Sequence, residues 1–217
     1  MKITAIVSAY QTQDYIIEAL ESLRGCDEIL VGVDGCTKTM QAIKHLNWPN
    51  LHKFMFQKCT TYKIRNTLAQ KATNDMLLFF DSDDIMQRLD LLQSVDADVV
   101  RFKFNNFKTD KTDIKKSTYC APGCFMVKRS VFMYYNGFQG WPCSADTEFM
   151  YRVDSRHKVA KIDEPVFMRR LHCNALTRNH EYGLRTRARA QINRNLYKRV
   201  KFPILDNLAT ATCKQLT

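Results

Sequence analysis

The chain has 217 residues, 45% of them hydrophobic, which supports one sizeable core without staples and excludes a scaffold held together by disulfides. Its 33 Lys and Arg against 22 Asp and Glu leave a net charge of +11, more than solubility requires, and this points to an anionic partner such as nucleic acid, a phosphate-rich polymer or a membrane surface. Eight scattered cysteines without a CxxC pair match no familiar zinc finger and read as reduced cytosolic thiols, and the apolar run within Met1–Tyr10 breaks at Ser8, too short for a signal sequence or membrane span, so a cytoplasmic protein without integral membrane contact is expected.

Ile3–Val7 reads as a buried strand, and Asp14 stands where it would cap a helix whose apolar positions Ile16, Ile17, Leu20 and Leu23 recur at helical spacing. Glu28–Val33 is a second strand ending in Asp34-Gly35. Leu51–Phe56 is a third, Thr61–Ala72 a second long helix, and Met76–Phe80 a fully apolar fourth strand. Strands alternating with helices predict an α/β fold with a mostly parallel central sheet, in which ligands bind beyond the carboxyl ends of the strands. Ser8–Tyr10, Asp34-Gly35 and Asp81–Asp84 would then face one crevice.

In the second half Asp98–Phe107 alternates like an exposed strand, Cys124–Val127 is another, and Asp146–Val153 and Arg185–Val200 are helical. Between Arg178 and Lys201 eight basic residues stand against Glu181 alone, a local excess of seven positive charges. There is no repeat or linker, so residues 1–177 read as one domain and residues 178–217 as a basic helical extension packed on it.

The segment Asp81-Ser82-Asp83-Asp84 follows the most apolar strand. Carboxylates on one tight turn suit a hard divalent cation, which can neutralise a diphosphate leaving group. Without a cation or a basic partner, three such groups repel one another; the plain alternative is a polar turn with Asp84 capping the next helix. On their residue types alone, Arg65 is a solvated charge on an amphipathic helix and Asp146 a helix cap. The absence of GxxxxGK[ST] and GxGxxG argues against a P-loop kinase or a dinucleotide dehydrogenase.

Taken in order, the motifs resemble the family 2 inverting glycosyltransferases of the GT-A fold over roughly the first 180 residues. Ile6-Val7-Ser8-Ala9-Tyr10 is similar to the opening strand and the Pro-Thr-Tyr segment that borders the nucleotide base, without its proline. Ile29 to Thr37 is similar to the strand ending in Asp-Asp-Gly-Ser-Thr, with Val33 at the first aspartate and Asp34 at the second. Arg65-Asn66, Ala69 and Ala72 leading to Asp81–Asp84 resemble the Ala-Arg-Asn helix and metal-binding turn. Gly123 to Arg129 followed by Gly137-Phe138 is similar to the acceptor-side strand and its turn. Asp146-Thr147-Glu148-Phe149 with Arg152 resembles the Glu-Asp segment that supplies the base, with Ala145 at the glutamate. Arg170-Leu171-His172 resembles the late Arg-x-His segment whose histidine reaches the metal.

The resemblance implies a GT-A nucleotide-sugar-binding domain and a Mn²⁺- or Mg²⁺-dependent hexosyl or pentosyl transfer from a nucleotide-diphosphate sugar, a UDP-sugar first, to an acceptor hydroxyl. By that resemblance Ala9, Tyr10, Asp34, Arg65, Asp81 and Ser82 would hold the donor, with Tyr10 and Asp34 at the nucleoside and Arg65 at the diphosphate. Asp81, Asp83 and His172 would hold the metal, and Asp146 would act as general base. Trp141, Arg185, Arg187 and Arg189 would meet the acceptor. Enzymes that glycosylate hydroxymethylated bases in bacteriophage DNA fit a small, strongly basic member, which makes DNA an expected acceptor, in the host cytoplasm if the chain is phage-encoded. The alternatives are a surface glycan or lipid-linked saccharide as acceptor, and a basic nucleic-acid-binding module that has lost catalysis, which Val33 and Ala145 would favour.

Overall fold

A computed structural model of the chain describes residues 1–153, 156–201 and 213–216. The strand β1 (Ile3–Ala9) is buried along its whole length, because a central parallel strand is covered on both faces. Its alternate residues feed two cores: Ile3, Ala5 and Val7 pack on one face of the sheet and Ile6 on the other. The helix α1 (Ile16–Ser22) follows, and here the structure corrects the expected cap. Tyr15 holds the cap position without a side-chain bond, and the turn closes instead on the Thr12 carbonyl, which accepts from the Tyr15 and Ile16 N–H groups at 2.9 Å.

Next come β2 (Glu28–Asp34), the short α2 (Thr37–Ile43), β3 (Leu51–Phe56) and α3 (Thr61–Lys71). Thr60 caps α3 by accepting from the Lys63 N–H. After β4 (Met76–Asp81) lie β5 (Ile85–Met86), α4 (Leu89–Gln93), β6 (Val99–Lys108), β7 (Lys115–Lys116), β8 (Phe125–Lys128) and α5 (Arg129–Tyr134). The chain continues through α6 (Ala145–Val153), β9 (Val159–Leu171), a 3₁₀ turn at Leu176–Arg178, α7 (Arg187–Lys201) and β10 (Gln215–Leu216). The helix α7 starts after Thr186, not at Arg185, because the Thr186 hydroxyl accepts from the Arg189 N–H.

The strands form one sheet in the order β10-β3-β2-β1-β4-β8-β6-β9-β5, with β7 on β6. The block β3-β2-β1-β4 is parallel, as the alternation predicts. Beyond it β8 runs antiparallel to both β4 and β6, and β5, β7 and β10 pair antiparallel as well, so the sheet is mixed rather than mostly parallel. Because β8 is reversed on both sides, β6 regains the direction of β4 and pairs parallel with β9. The carboxyl ends of β1, β2, β4, β6 and β9 therefore open on one edge of the sheet.

Two features within residues 178–217 bear on that edge. The helix α7 packs on α6. At the other side of the sheet β10 pairs with β3, the Gln57 N–H donates to the Lys214 carbonyl at 2.9 Å, and Cys59 is joined to Cys213 in a disulfide. This corrects the expectation of reduced thiols. The partners are 154 positions apart, a pairing no local spacing announces, and the six other cysteines are free. No helix among the described residues is long and apolar enough to cross a membrane.

Candidate active site

The acidic turn begins at the last residue of β4. Phe79 is buried in an aromatic cluster with Phe125, Phe132 and Phe138, so β4 is fixed and Asp81 is presented at its end. Arg65, on α3, is not a surface charge. It is 1% exposed, and its guanidinium donates to the Asp81 carboxylate at 2.6 Å and to the carbonyls of Gly123 at 2.9 Å and Phe80 at 3.3 Å. The side chain expected at the diphosphate thus sits beneath the turn, neutralising one of its carboxylates. Ala9 packs in the core and Ser82 is buried.

The other two carboxylates separate. Asp83 meets the His172 Nε2 at 2.6 Å, while Asp84 turns inward and accepts from the Arg170 N–H at 2.9 Å. Arg170 also donates to the Asp83 carbonyl at 2.9 Å and to Glu18, which clamps the Arg170–His172 segment onto the turn. The His172 ring lies 4.9 Å from that of Tyr15. Burial pushes the Asp84 carboxyl well above the usual range, and Asp83 and Asp81 add to the shift; Asp81 is also raised by loss of water, against the pull of Arg65. Near them Cys124 Sγ lies 3.6 Å from Asp81, and Asp81, Asp84 and Cys124 offer ligand atoms within 4.8 Å of one another.

The acidic turn fits a divalent cation, but the ligand atoms that the structure groups within 4.8 Å are those of Asp81, Asp84 and Cys124, and the expected Asp83 and His172, bonded to each other, lie outside that group. The turn carries three carboxylates with one guanidinium among them, and the buried Nδ1 of His172 has no hydrogen-bond partner among the described residues. Carboxylate oxygens with one imidazole suit Mn²⁺ or Mg²⁺.

At the ends of β1 and β2, a cleft of about 370 Å³ is bordered by Tyr10, Gly35, Cys36 and Asn174, within the size range of small-ligand sites. Gly35, directly after Asp34, adopts φ +65°, a left-handed turn that lets the chain leave β2 beside the cleft. Asp34 is 4% exposed and accepts from the Cys59 N–H at 2.6 Å and Lys58 Nζ at 2.7 Å, and Lys58 Nζ lies 3.4 Å over the Tyr10 ring. Sequence reasoning brought out Asp34 and Tyr10 but missed Lys58. The available signal was its place directly after β3, at the same edge of the sheet. Cys36 also borders the cleft; its thiol is lowered from the ordinary value, burial being outweighed by hydrogen bonds from Thr39, Gln11 and Lys38.

Asp146 is not the cap of α6, which begins one residue earlier at Ala145; it lies in the first turn and is 8% exposed. Its Oδ1 accepts from the Thr147 N–H at 2.7 Å. Its other oxygen faces Gly123: a Cβ on Gly123 would stand 3.2 Å from Asp146 Oδ2 and 3.8 Å from Asp81 Oδ2. The two carboxylates, 65 positions apart, border one small space. Tyr62 adjoins Asp146, and burial raises its phenol far above the usual value. Glu148 is committed to Arg152 at 2.8 Å.

The expected acceptor residues divide. Trp141 is half-buried against the phenylalanine cluster. Arg185 and Arg187 are exposed, whereas Arg189 is partly buried and donates to the Tyr182 carbonyl at 2.6 Å.

No protein-family model and no curated protein sequence matches the chain. Solved structures do. Residues 1–349 of S. aureus TarS in complex with UDP-GlcNAc align over 79% of this chain and 59% of their own length at 20% identity, with a TM-score of 0.66. The longer S. aureus TarS structure covers 95% of this chain at 17% identity and a TM-score of 0.70, and only 41% of that protein is matched. The mannosyltransferase PcManGT from Pyrobaculum calidifontis, in complex with GDP-Man and Mn²⁺, aligns over 81% of this chain and 59% of its own at 15% identity, with a TM-score of 0.63. The chain spans at most about three fifths of the length of each of these proteins. It has their fold, the mixed α/β sheet of the glycosyltransferase kind.

Proposed function

We propose that the chain is an inverting, metal-dependent glycosyltransferase that moves a sugar from a nucleotide-diphosphate donor, a UDP-sugar first, to an acceptor hydroxyl. The observation that carries this reading is the pair Asp81 and Asp146, whose carboxylates flank the space in front of Gly123 at the edge where the cleft beside Tyr10 and Gly35 also opens. The fold shared with structures that hold UDP-GlcNAc and GDP-Man supports a nucleotide-sugar donor.

In this reading Asp34, Lys58 and Tyr10 bind the nucleoside end. Asp34 stands where the resemblance sets its ribose and uracil contact, and the Lys58 ammonium pairs with it there. Asp81, Asp83 and His172 would hold the Mn²⁺ or Mg²⁺, which supplies positive charge for the departing diphosphate. Arg65 fixes Asp81 and does not touch the donor. Asp146 takes the proton of the acceptor hydroxyl as that oxygen attacks the anomeric carbon, and the carbon–oxygen bond to the diphosphate breaks on the opposite face.

Nucleotide release from UDP-sugars and GDP-sugars, followed with and without chelator, tests the reading. Turnover that stops with chelator and returns with Mn²⁺ or Mg²⁺ is expected, and Asp83→Ala should abolish it. Undiminished turnover by Asp83→Ala in metal-free buffer would falsify the assignment.

A further inference from the structure

Four exposed arginines are grouped between residues 178 and 194. Arg65, Arg152 and Arg170 are each paired with a carboxylate. Arg178, Arg185, Arg187 and Arg194 are exposed, and among the described residues none of them meets a carboxylate. They belong to the stretch that holds a local excess of seven positive charges. Resting on the reading above, we propose that this face binds the acceptor and that the acceptor is a nucleic acid, gripped by its phosphate backbone and glycosylated on a hydroxyl group it carries.

Position supports this first. The helix α7 packs on α6, which carries Asp146. At the near end, Arg178 and Lys108 line a cleft of about 390 Å³ together with Thr109, Asp110 and Leu171, the neighbour of His172. The cationic face therefore runs from the base-bearing helix to the mouth beside the acidic turn. It is also held in place: the Leu184 N–H donates to the Thr177 carbonyl at 3.0 Å, and Arg189 ties to the Tyr182 carbonyl at 2.6 Å. Arg189 is thus a positioning residue.

Chemistry selects among anionic partners. A membrane surface would need an apolar face free to insert, but Leu196 is 2% exposed and Ile192 is half-buried, so the apolar side of α7 is already covered. Arginine forks match pairs of phosphate oxygens better than ammonium groups do. Arg187 and Arg194 are two helical turns apart, about 10 Å along the axis at 1.5 Å per residue, on one side of a rigid rod. A regular backbone of phosphates meets such a row without rearrangement. A neutral glycan would leave these cations without partners.

The transfer balances without any further reactant. The acceptor hydroxyl oxygen forms the new bond to the anomeric carbon, its proton passes to Asp146, and the nucleoside diphosphate departs with the electron pair of the broken bond.

Binding of the full chain to duplex DNA, read by fluorescence anisotropy across a salt series, tests the surface. The affinity should fall steeply with salt, with a log–log slope near 0.9 per phosphate contact. Arg178→Gln, Arg185→Gln, Arg187→Gln and Arg194→Gln should each lower that slope by about 1, and all four together by about 3 to 4, alike on all sequences. The single variants serve if the quadruple one melts early. Sugar transfer to duplex DNA bearing 5-hydroxymethylpyrimidines, with none to unmodified DNA, is the expected activity. If the chain releases nucleotide from donor yet binds no DNA at low salt, or transfers sugar to a polyol-phosphate polymer and not to DNA, the acceptor assignment falls and the transferase reading stands. Salt-dependent DNA binding without turnover of any donor sinks the transferase reading and the acceptor role with it. A slope unchanged in all the variants removes the surface.

Discussion

The Arg65 guanidinium lies 2.6 Å from the Asp81 carboxylate and donates as well to the carbonyls of Gly123 and Phe80, so one buried side chain joins α3, the end of β4 and the approach to β8. Removing one partner of a buried ion pair strands the other group and two carbonyls; with Asp81 half exposed, the cost should sit near the low end for such pairs, about 3 kcal/mol for Arg65→Met. Arg65→Lys should recover only part of this, because an ammonium lacks the planar fork that spans three acceptors. Urea unfolding measures both, and a midpoint like the parent's for Arg65→Met would show the contact to be incidental.

The shared space in front of Gly123 makes a second prediction. Asp146→Asn keeps the shape and the Thr147 contact but cannot accept a proton, so turnover should fall by roughly 10² to 10⁴ with donor affinity preserved. Gly123→Ala should lower turnover with little loss of stability, since its Cβ would press on the Asp146 oxygen at 3.2 Å. Steady-state transfer rates decide this; an Asp146→Asn enzyme at the parent rate would make Asp146 structural. Glu148, held by Arg152, would be a poor substitute.

The strands β1, β2 and β4 were legible because both of their faces are buried and their residues are accordingly apolar, and Asp34 and the Asp81–Asp84 turn follow from where those strands end. The strand β9 was not. Val159–Leu171 carries Lys161, Asp163, Glu164, Pro165, Arg169 and Arg170, a composition that reads as loop, and its parallel pairing with β6 is interrupted by register shifts around Phe102–Phe104. The burial of Arg65 was equally hidden. A charge on a helix looks solvated until its partner, 16 positions on at the end of another element, is folded against it. Lys58 and the Cys59–Cys213 bridge depend on the same kind of distant pairing.

A third prediction concerns cation binding and pH. Burial raises the Asp84 carboxyl in the folded chain, Asp83 and Asp81 adding to it, so folding favours its protonated form. A folded value above the unfolded one means that metal-free stability declines as pH rises from about 4, the ordinary carboxylate value, toward the raised one. A divalent cation offsets the repulsion among the ionised carboxylates. The stabilisation by Mn²⁺, read as a rise in melting temperature, should therefore be small near pH 4.5 and grow toward pH 8, where a hundredfold excess over Kd is worth about 2.7 kcal/mol. A shift that shrinks as pH rises would contradict this, and Asp83→Ala should suppress it throughout.

The last prediction joins the C-terminal strand to the nucleoside end of the cleft. Cys59 is bridged to Cys213, its N–H donates to Asp34 at 2.6 Å, and the preceding Lys58 pairs with Asp34 while lying over Tyr10. The Cys213 N–H in turn donates to the Thr67 hydroxyl at 3.0 Å on α3. One covalent link thus fixes both β10 on β3 and the loop that grips Asp34. A bridge closing so long a loop restricts the unfolded chain, and its loss should cost about 2 to 4 kcal/mol. Cys59→Ser, Cys213→Ser and treatment with a dithiol reductant should all lower the melting temperature to a similar extent. Their effects on catalysis should fall mainly on donor binding, raising KM for the nucleotide sugar more than lowering kcat, because Asp146 and the acidic turn lie on other elements. Thermal unfolding and donor KM, each measured with and without reductant, provide the check. If the parent keeps its melting temperature and donor KM after complete reduction, the bridge holds neither the strand nor the site.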